Sequence, residues 1–302
     1  HILQKMISYE TELGDRSWRK RILLPTYPSD SSTPGWELHE AIKTNIADPT
    51  DFMSCRVYSA NDGVQPPPCE ITPCTEQNVE NEWRNGYGMV AWFTHGTSTT
   101  ASNVFAVGQC TSLDDTKPSF TFQGSCMNAW PEDENNLAYS LLKHGAISTV
   151  AATRISMYNG SGWFSPCPDQ GYTQDLVYYY TWNIIQDENT AGEALFKAKN
   201  LNEDQSNDLW RNVLAYNLYG DPACSLIEPL ITDLDRNRNI NIVDLTSVAL
   251  AFHTEYDEAN GMCVHAIPCN NCPHHPHCDI NGDDVVNIID IYMVAIDFGE
   301  TY

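Results

Sequence analysis

Strand-length segments rich in apolar residues alternate with helical patterns along the first two thirds of the chain, and this alternation limits the fold more than any other feature. Gly88-Met89-Val90-Ala91-Trp92-Phe93 is a continuous apolar run, the pattern of a strand covered on both faces of a sheet. Lys20-Arg21-Ile22-Leu23-Leu24, Ser119-Phe120-Thr121-Phe122 and Ala146-Ile147-Ser148-Thr149-Val150-Ala151-Ala152 read as further strands, and Cys55-Arg56-Val57-Tyr58 as a weaker one. Helical patterns lie between and after them, over residues 35–42, 136–144 and 175–186, the second ending at Gly145 in a position that suits a C-cap. Strands alternating with helices imply an α/β fold with a parallel sheet flanked by helices. Residues 217–222 (NLYGDP) break the last helical pattern, and Glu228-Pro229 reads as a linker. Two domains are expected, 1–228 and 229–302.

Charge narrows the class of partner. The 302 residues carry a formal charge of −24, which argues against nucleic acid, whose phosphates need a basic face. Residues 229–302 hold 12 acidic side chains against 2 arginines, so cations are the natural ligands of the tail. No apolar run is long enough for a transmembrane helix. No signal peptide is visible, and the chain opens on His1-Ile2-Leu3, which suggests processing or truncation.

Two of the strands run into reactive residues: Trp92-Phe93-Thr94-His95-Gly96 and Phe122-Gln123-Gly124-Ser125-Cys126. In an open parallel sheet, ligands bind beyond the carboxyl ends of the strands. If these two strands are neighbours, His95 and Cys126 meet on that rim, where an imidazole can activate a thiol as nucleophile. The amides of Gly96 and Cys126 would then be free to hold an oxyanion. A histidine after a strand is more often a structural hydrogen-bonder, and a cysteine in a cysteine-rich chain is more often in a disulfide.

Resemblance weighs on the catalytic side. Residues 87–97, with Thr94-His95-Gly96-Thr97, resemble the catalytic-histidine segment of gingipain-type peptidases, and residues 120–131 (FTFQGSCMNAWP) resemble their catalytic-cysteine segment. Residues 137–158, Gly192-Glu193-Ala194-Leu195 and residues 217–222 match later parts of that domain in the same order. The resemblance covers about the first 228 residues. It implies a caspase-like α/β fold and peptide-bond cleavage, with Cys126 as nucleophile and His95 as general acid/base. It also places Asp30 nearest the acid that orients the imidazole. Trp36 falls where Arg-specific members carry a pocket Asp, Tyr158 falls on an aromatic pocket wall, and Glu37 is the nearby acid that could substitute. Arg or Lys preference therefore does not carry over.

The tail repeats a second pattern. Asp233, Asp235, Asn237, Asn239, Asn241 and Asp244 form one set, and Asp279, Asn281, Asp283, Val285, Asn287 and Asp290 the other. Both follow the spacing of an EF-hand-type Ca²⁺ loop, the seventh residue giving its carbonyl. Each runs into an apolar helical stretch, residues 245–252 and 291–298. Neither loop has Gly at its sixth position, and both end in Asp, which resembles dockerin modules. That resemblance implies a small α-helical domain with two Ca²⁺ ions and a cohesin-like scaffold partner.

Residues 256–278 read as an insertion between the loops, carrying Cys263, Cys269, Cys272 and Cys278 with His265, His274, His275 and His277. Two disulfides are the preferred reading there, and Zn²⁺ the alternative. The full count of 11 cysteines favours an oxidising, extracellular or cell-surface setting. Being odd, it predicts Cys126 as a free thiol and the other cysteines paired, Cys69 with Cys74 among them. The opening helical stretch, residues 3–10, has apolar residues that need cover. A cleaved N-terminal portion, or another chain, is expected to supply it. Two functional classes remain: a secreted cysteine endopeptidase acting on a protein or peptide substrate, and a catalytically silent scaffold component that uses the same fold and tail for assembly.

Overall fold

The computed structural model describes residues 1–11, 15–30, 33–59, 66–160, 171–200, 210–227, 234, 240–252, 278–281 and 285–299, with the backbone alone of 254–257 and 262–265. The chain divides into two compact units, His1–Ile227 and Glu228–Tyr302.

The first unit is built on a six-stranded sheet. In chain order its strands are β1 (Arg21–Thr26), β2 (Met53–Tyr58), β3 (Met89–Phe93), β6 (Ser119–Gly124), β7 (Ala146–Ala152) and β8 (Tyr216–Gly220), with a small hairpin of β4 (Thr100–Ala101) and β5 (Phe105–Ala106) between β3 and β6. The spatial order is β2-β1-β3-β6-β7-β8. All neighbours run parallel except β7 and β8, which are antiparallel. Every residue of β3, β6 and β7 is buried, as a parallel sheet covered on both faces requires.

Helices α1 (Ile2–Thr11), α2 (Trp36–Ile42), α3 (Glu76–Trp83), α4 (Leu137–Lys143), α5 (Thr173–Ile185), α6 (Ala191–Asn200) and α7 (Trp210–Ala215) complete the unit. Alternate strand residues feed two separate cores. Ile22, Leu24, Met89, Ala91, Phe93, Phe120 and Phe122 face the side packed with α2, α5 and α6. Leu23, Val90 and Trp92 face the side packed with α3 and α4. This is the period of two expected of a strand. In α1 the buried residues are Lys5 and Tyr9, while Leu3 and Ile7 are exposed.

Several elements escaped the sequence reading, β8 and α3 among them. The NLYGDP segment, taken there only as a helix breaker, supplies most of β8, an edge strand that is half-buried over residues 217–220. Helix α3 has a polar sequence and buries only Val79 and Trp83, too few apolar positions to stand out as a periodic pattern.

The second unit is an internal repeat. Helices α8 (Ile242–Ala251) and α9 (Ile288–Ile296) have matching starts. Asn241 and Asn287 cap them with φ/ψ of −140/−166° and −139/−165°. Each cap's side-chain oxygen accepts the amide two residues on, at 2.8 Å. Asp244 accepts from the amides of Leu234 and Asn241, and Asp290 from those of Ile280, Asn281 and Asn287. The core pairs Ile240 with Val286, Val248 with Val294, Leu245 with Ile291 and Leu234 with Ile280, each at the same sequence offset as Asn241 and Asn287. Strands β9 (Thr254–Asp257) and β10 (Met262–His265) form an antiparallel ladder between the two helices in sequence.

The expected disulfide framework is corrected. Cys55, Cys69, Cys110, Cys126 and Cys278 carry free thiols, so Cys69 and Cys74 are not joined and five bridges cannot form. Their sulfurs point to different carbonyl oxygens, Cys69 Sγ to Ile71 at 3.1 Å and Cys74 Sγ to Asn103 at 3.5 Å. Burial pushes the Cys110 thiol up to about 12 and that of Cys55 up to about 11, which keeps both protonated and unreactive. Cys167, Cys269 and Cys272 lie outside the described residues, as do the side chains of Cys263 and His265 and the insertion's His274, His275 and His277. No helix among the described residues is long and apolar enough to cross a membrane.

The end of β6 is closely packed. A Cβ added to Gly124 would lie 2.3 Å from the Trp92 carbonyl oxygen and 2.8 Å from Val177 Cγ2. Neither the strand nor α5 can withdraw without opening a core. Gly124→Ala is expected to destabilise the first unit by roughly 1–3 kcal/mol through overpacking, read as a lowered midpoint in urea unfolding.

Candidate active site

Strand register puts the two candidate residues on one rim. Phe93 on β3 is paired with Gly124 on β6. His95 and Cys126 each lie two residues beyond that pair, on the carboxyl rim of adjacent central strands. The amide of Thr94 donates to the Gly124 carbonyl at 3.1 Å, carrying the ladder one step past the strand ends. The chain after His95 then turns back through a Gly96–Ala101 bridge, and Ser102 donates to the His95 carbonyl at 2.8 Å.

Gly96 is required for closure. A Cβ there would meet the Cys126 carbonyl oxygen at 2.6 Å and Ser125 Cβ at 2.9 Å. The two loops are also tied by a side chain that sequence reasoning did not single out. Asn128 is fully buried, and its Nδ2 donates to the carbonyls of Thr97 at 2.7 Å and Thr100 at 3.0 Å. Its Oδ1 accepts from Ser125 Oγ, which in turn accepts from Trp92 Nε1 at 3.0 Å. Met127 adopts a left-handed φ of 59°. Its amide bonds the Arg154 carbonyl at 3.2 Å, and that of Ala129 bonds Ala152 at 3.0 Å. The cysteine loop is therefore clamped on one side to the histidine loop and on the other to the end of β7.

His95 is exposed, and its Nε2 lies 2.7 Å from the Ser29 carbonyl oxygen. A carbonyl only accepts, so Nε2 carries the hydrogen, and Nδ1 is the nitrogen left for proton exchange. Cys126 is half-buried. Its Sγ donates to the Ser156 carbonyl at 3.5 Å and lies 3.7 Å from Ser156 Oγ, which is itself bonded by Tyr216 Oη at 3.2 Å. Among the described residues no hydrogen bond joins Cys126 to His95, and the amides of Gly96 and Cys126 bond no protein acceptor. Loose contacts of this kind are common in catalytic sites without substrate.

Asp30 sits on the loop after β1. Its Oδ2 accepts from Tyr158 Oη at 2.7 Å and from Thr33 Oγ1 at 3.0 Å. The bond to Asp30, with burial second, pushes the Tyr158 hydroxyl up to about 12, so it remains a donor. The Tyr158 ring meets that of His95 nearly edge-on, centroids 6.1 Å apart at 79°. Asp30 thus reaches the imidazole through Tyr158, while Nε2 of His95 bonds a main-chain carbonyl. Trp36 and Glu37 occupy the first turn of α2, both half-buried. Gly35 just before them packs on Thr26 and Phe93, at the carboxyl ends of β1 and β3. Ser29, Asn128 and Ser156 were missed from sequence. Asn128 alone left a signal, as a polar residue two positions beyond the cysteine.

Residues 1–227 match peptidase family C25. Among curated proteins none matches the chain. Among solved structures, the Arg-specific cysteine proteinase gingipain R superposes with a TM-score of 0.56 at 14% identity, over 74% of this chain and 51% of that one. A complex of Porphyromonas gingivalis RgpB pro- and mature domains superposes at 0.53, also with 14% identity, over 74% and 52%. The chain therefore spans about half the length of the structures it matches, and shares the gingipain-type, caspase-like fold.

Asn128→Ala should strand the Thr97 and Thr100 carbonyls and free both loops. A loss of about 1–3 kcal/mol follows from leaving buried partners unsatisfied, read by thermal or urea unfolding. Cys126 should also alkylate faster with iodoacetamide, measured by mass spectrometry.

Proposed function

Since this chain belongs to peptidase family C25, we propose that it is a cysteine peptidase in which Cys126 is the nucleophile and His95 the general acid/base. The observation that carries this reading is the Phe93–Gly124 register, which puts both side chains on one rim with two uncommitted amides beside them. With Nε2 held by Ser29, Nδ1 of His95 takes the Cys126 proton once the thiol rotates away from Ser156. The thiolate attacks the peptide carbonyl carbon, and the amides of Gly96 and Cys126 receive the developing oxyanion. The imidazolium then protonates the leaving amine as the C–N bond breaks, leaving a thioester on Cys126. His95 next draws a proton from water, which attacks the thioester and frees the acid and the thiol.

Asp30 is a positioning residue in this scheme, acting on His95 through Tyr158. Trp36, Glu37 and Tyr158 are proposed to line the pocket for the residue preceding the cleaved bond, without the Arg specificity of the structural relative. A protein or peptide is the substrate class. Cys126→Ala is expected to abolish hydrolysis of a casein or mixed-peptide substrate, and His95→Ala to lower the rate by about 10²–10⁴-fold, with unfolding midpoints unchanged. Equal turnover in Cys126→Ala and the unsubstituted chain would rule the nucleophile out. Absent turnover in the unsubstituted chain, with no labelling of Cys126 by a peptidyl thiol reagent, would instead favour the silent scaffold component.

For the second unit we propose a dockerin-like module. Its support is the matched pair of Asn caps and buried carboxylates, Asp244 and Asp290, each 0% exposed. Buried carboxylates need donors or cations around them. In the second loop Asp279, Asn281, Val285, Asn287 and Asp290 supply oxygen ligands suited to Ca²⁺, and Asp283 lies outside the described residues. In the first loop Asn241 and Asp244 are described, and Asp233, Asp235, Asn237 and Asn239 are not. Exposed Ile242 and Val243 on α8 and their counterparts Ile288 and Ile289 on α9 offer two like apolar patches to a cohesin-like scaffold. Calcium loops of this kind suit a secreted, calcium-rich setting. Zn²⁺ in the 256–278 insertion is the alternative metal. A cleaved N-terminal portion is the occupant we propose for exposed Leu3 and Ile7 on α1.

Adding EGTA to the calcium-loaded full chain should lower the melting temperature of the second unit, read by calorimetry, and restoring Ca²⁺ should recover it, because bound metal is folding free energy. An unchanged transition would sink the calcium reading.

A further inference from the structure

Away from the rim, three metal-binding side chains from separate elements converge. His1 precedes α1, Asp115 lies in the loop leading to β6, and His144 is the C-cap of α4. His1 Nε2 lies 3.1 Å from Asp115 Oδ2, and His144 Nδ1 lies 3.7 Å from the same oxygen. The two rings stand 5.8 Å apart, centroid to centroid, tilted by 47°. One ligand atom from each residue falls within 4.8 Å of the others.

From these atoms we propose a divalent transition-metal site of the zinc class, formed by His1 Nε2, His144 Nδ1 and Asp115 Oδ2, with a fourth position open to water.

The distances suit a central ion. Two ligands at ~2.0–2.1 Å from tetrahedral zinc stand roughly 3.4 Å from each other, and the observed 3.1 and 3.7 Å lie on either side of that value. The longer of the two exceeds a hydrogen bond, so direct pairing does not explain why both rings aim at one oxygen.

The carboxylate is also oriented as metal-binding carboxylates are, by partners on its other oxygen. Oδ1 accepts from Lys5 Nζ at 2.9 Å and from the Gly145 amide at 2.8 Å. Lys5 is itself anchored to the Leu142 carbonyl at 2.9 Å. Gly145 has a φ of 78°, a left-handed turn that aims its amide at Asp115. Oδ2 is thereby presented to the two imidazoles. The ammonium group on Oδ1 and the exposure of His1 weaken the attraction for a cation, so the ion should exchange with solvent. Two imidazoles and one carboxylate favour zinc, cobalt, nickel or copper over calcium or magnesium, which take oxygen ligands. Occupied, the site would tie the start of α1 to the end of α4 and the approach to β6, on a part of the fold separate from the Cys126 rim.

The test uses the full chain stripped of metal and titrated with Co²⁺, then Zn²⁺. The chain has other candidate ligands, the insertion's cysteines among them, but thiolate ligands add sulfur-to-cobalt charge-transfer bands in the near ultraviolet. The proposed site should give tetrahedral d–d bands without that contribution, displaced by Zn²⁺. His144→Gln leaves the Lys5–Asp115 pair intact. It should remove one equivalent of metal or weaken it at least tenfold, with peptide hydrolysis unchanged, and Asp115→Asn should remove the same equivalent. If His144→Gln binds as many equivalents as the unsubstituted chain, with equal affinity and an identical cobalt spectrum, the site does not exist and the cluster is an ordinary surface ion pair.

Discussion

The parallel pairing of β3 with β6 is the constraint on which the first unit depends. Both strands are buried along their whole length, so their register cannot slip by one residue without sending Trp92 and Phe122 into the opposite cores. Glycine at position 124 lets Trp92 and Val177 close on the end of β6. The same pairing fixes the distance along the rim at which the chain leaves each strand. His95 and Cys126 inherit their neighbouring places on the rim from that register and from nothing in their own side chains.

Proximity alone would leave two loops free to drift, and the buried polar network beside them prevents it. Asn128 uses both Nδ2 hydrogens on main-chain carbonyls of the histidine loop and its oxygen on Ser125. A network of this kind is stabilising only when each member is satisfied, and here the chain from Trp92 through Ser125 to Asn128 closes on the backbone. The rigid part of the site is thus the loop scaffold. The reacting side chains themselves make few commitments.

That division explains what was legible in sequence. Ala146–Ala152 coincides with its expected limits because this fully buried strand is a run of apolar and β-branched residues, broken only by Ser148, with no Gly or Pro inside it. His95 and Cys126 were legible because each lies just past the end of a strand-length segment. The imidazole's partner was not, since it is the carbonyl of Ser29, and every residue has a carbonyl. Ser156 accepts from the thiol partly through its main chain for the same reason. The edge strand β8 lacked the apolar run of a buried strand, and its turn residues dominated the reading. Cysteine number suggested bridges, but pairing is a property of distance and direction that a count does not hold: Cys55 lies on β2, Cys110 beside Ser112 and Leu113, and Cys278 in the other unit.

The two groups proposed to react both rest on main-chain acceptors, the thiol on Ser156 and the imidazole on Ser29. The two acceptors differ in what they demand of the reaction. The Ser29 carbonyl holds a hydrogen on Nε2 that need not leave at any step, so it can keep the ring in place through the whole cycle while Nδ1 does the exchange. The Ser156 carbonyl accepts the one hydrogen that must leave Cys126, and it cannot take it, because a carbonyl is not a base. In the proposed mechanism, activation therefore requires the sulfur to give up that contact and turn toward His95. A peptide lying along the rim would favour the turned state by placing its carbonyl carbon over the sulfur, while the amides of Gly96 and Cys126 engage its oxygen. In the proposed mechanism the resting thiol is held on the Ser156 carbonyl, and substrate binding would supply the differential contact that turns it.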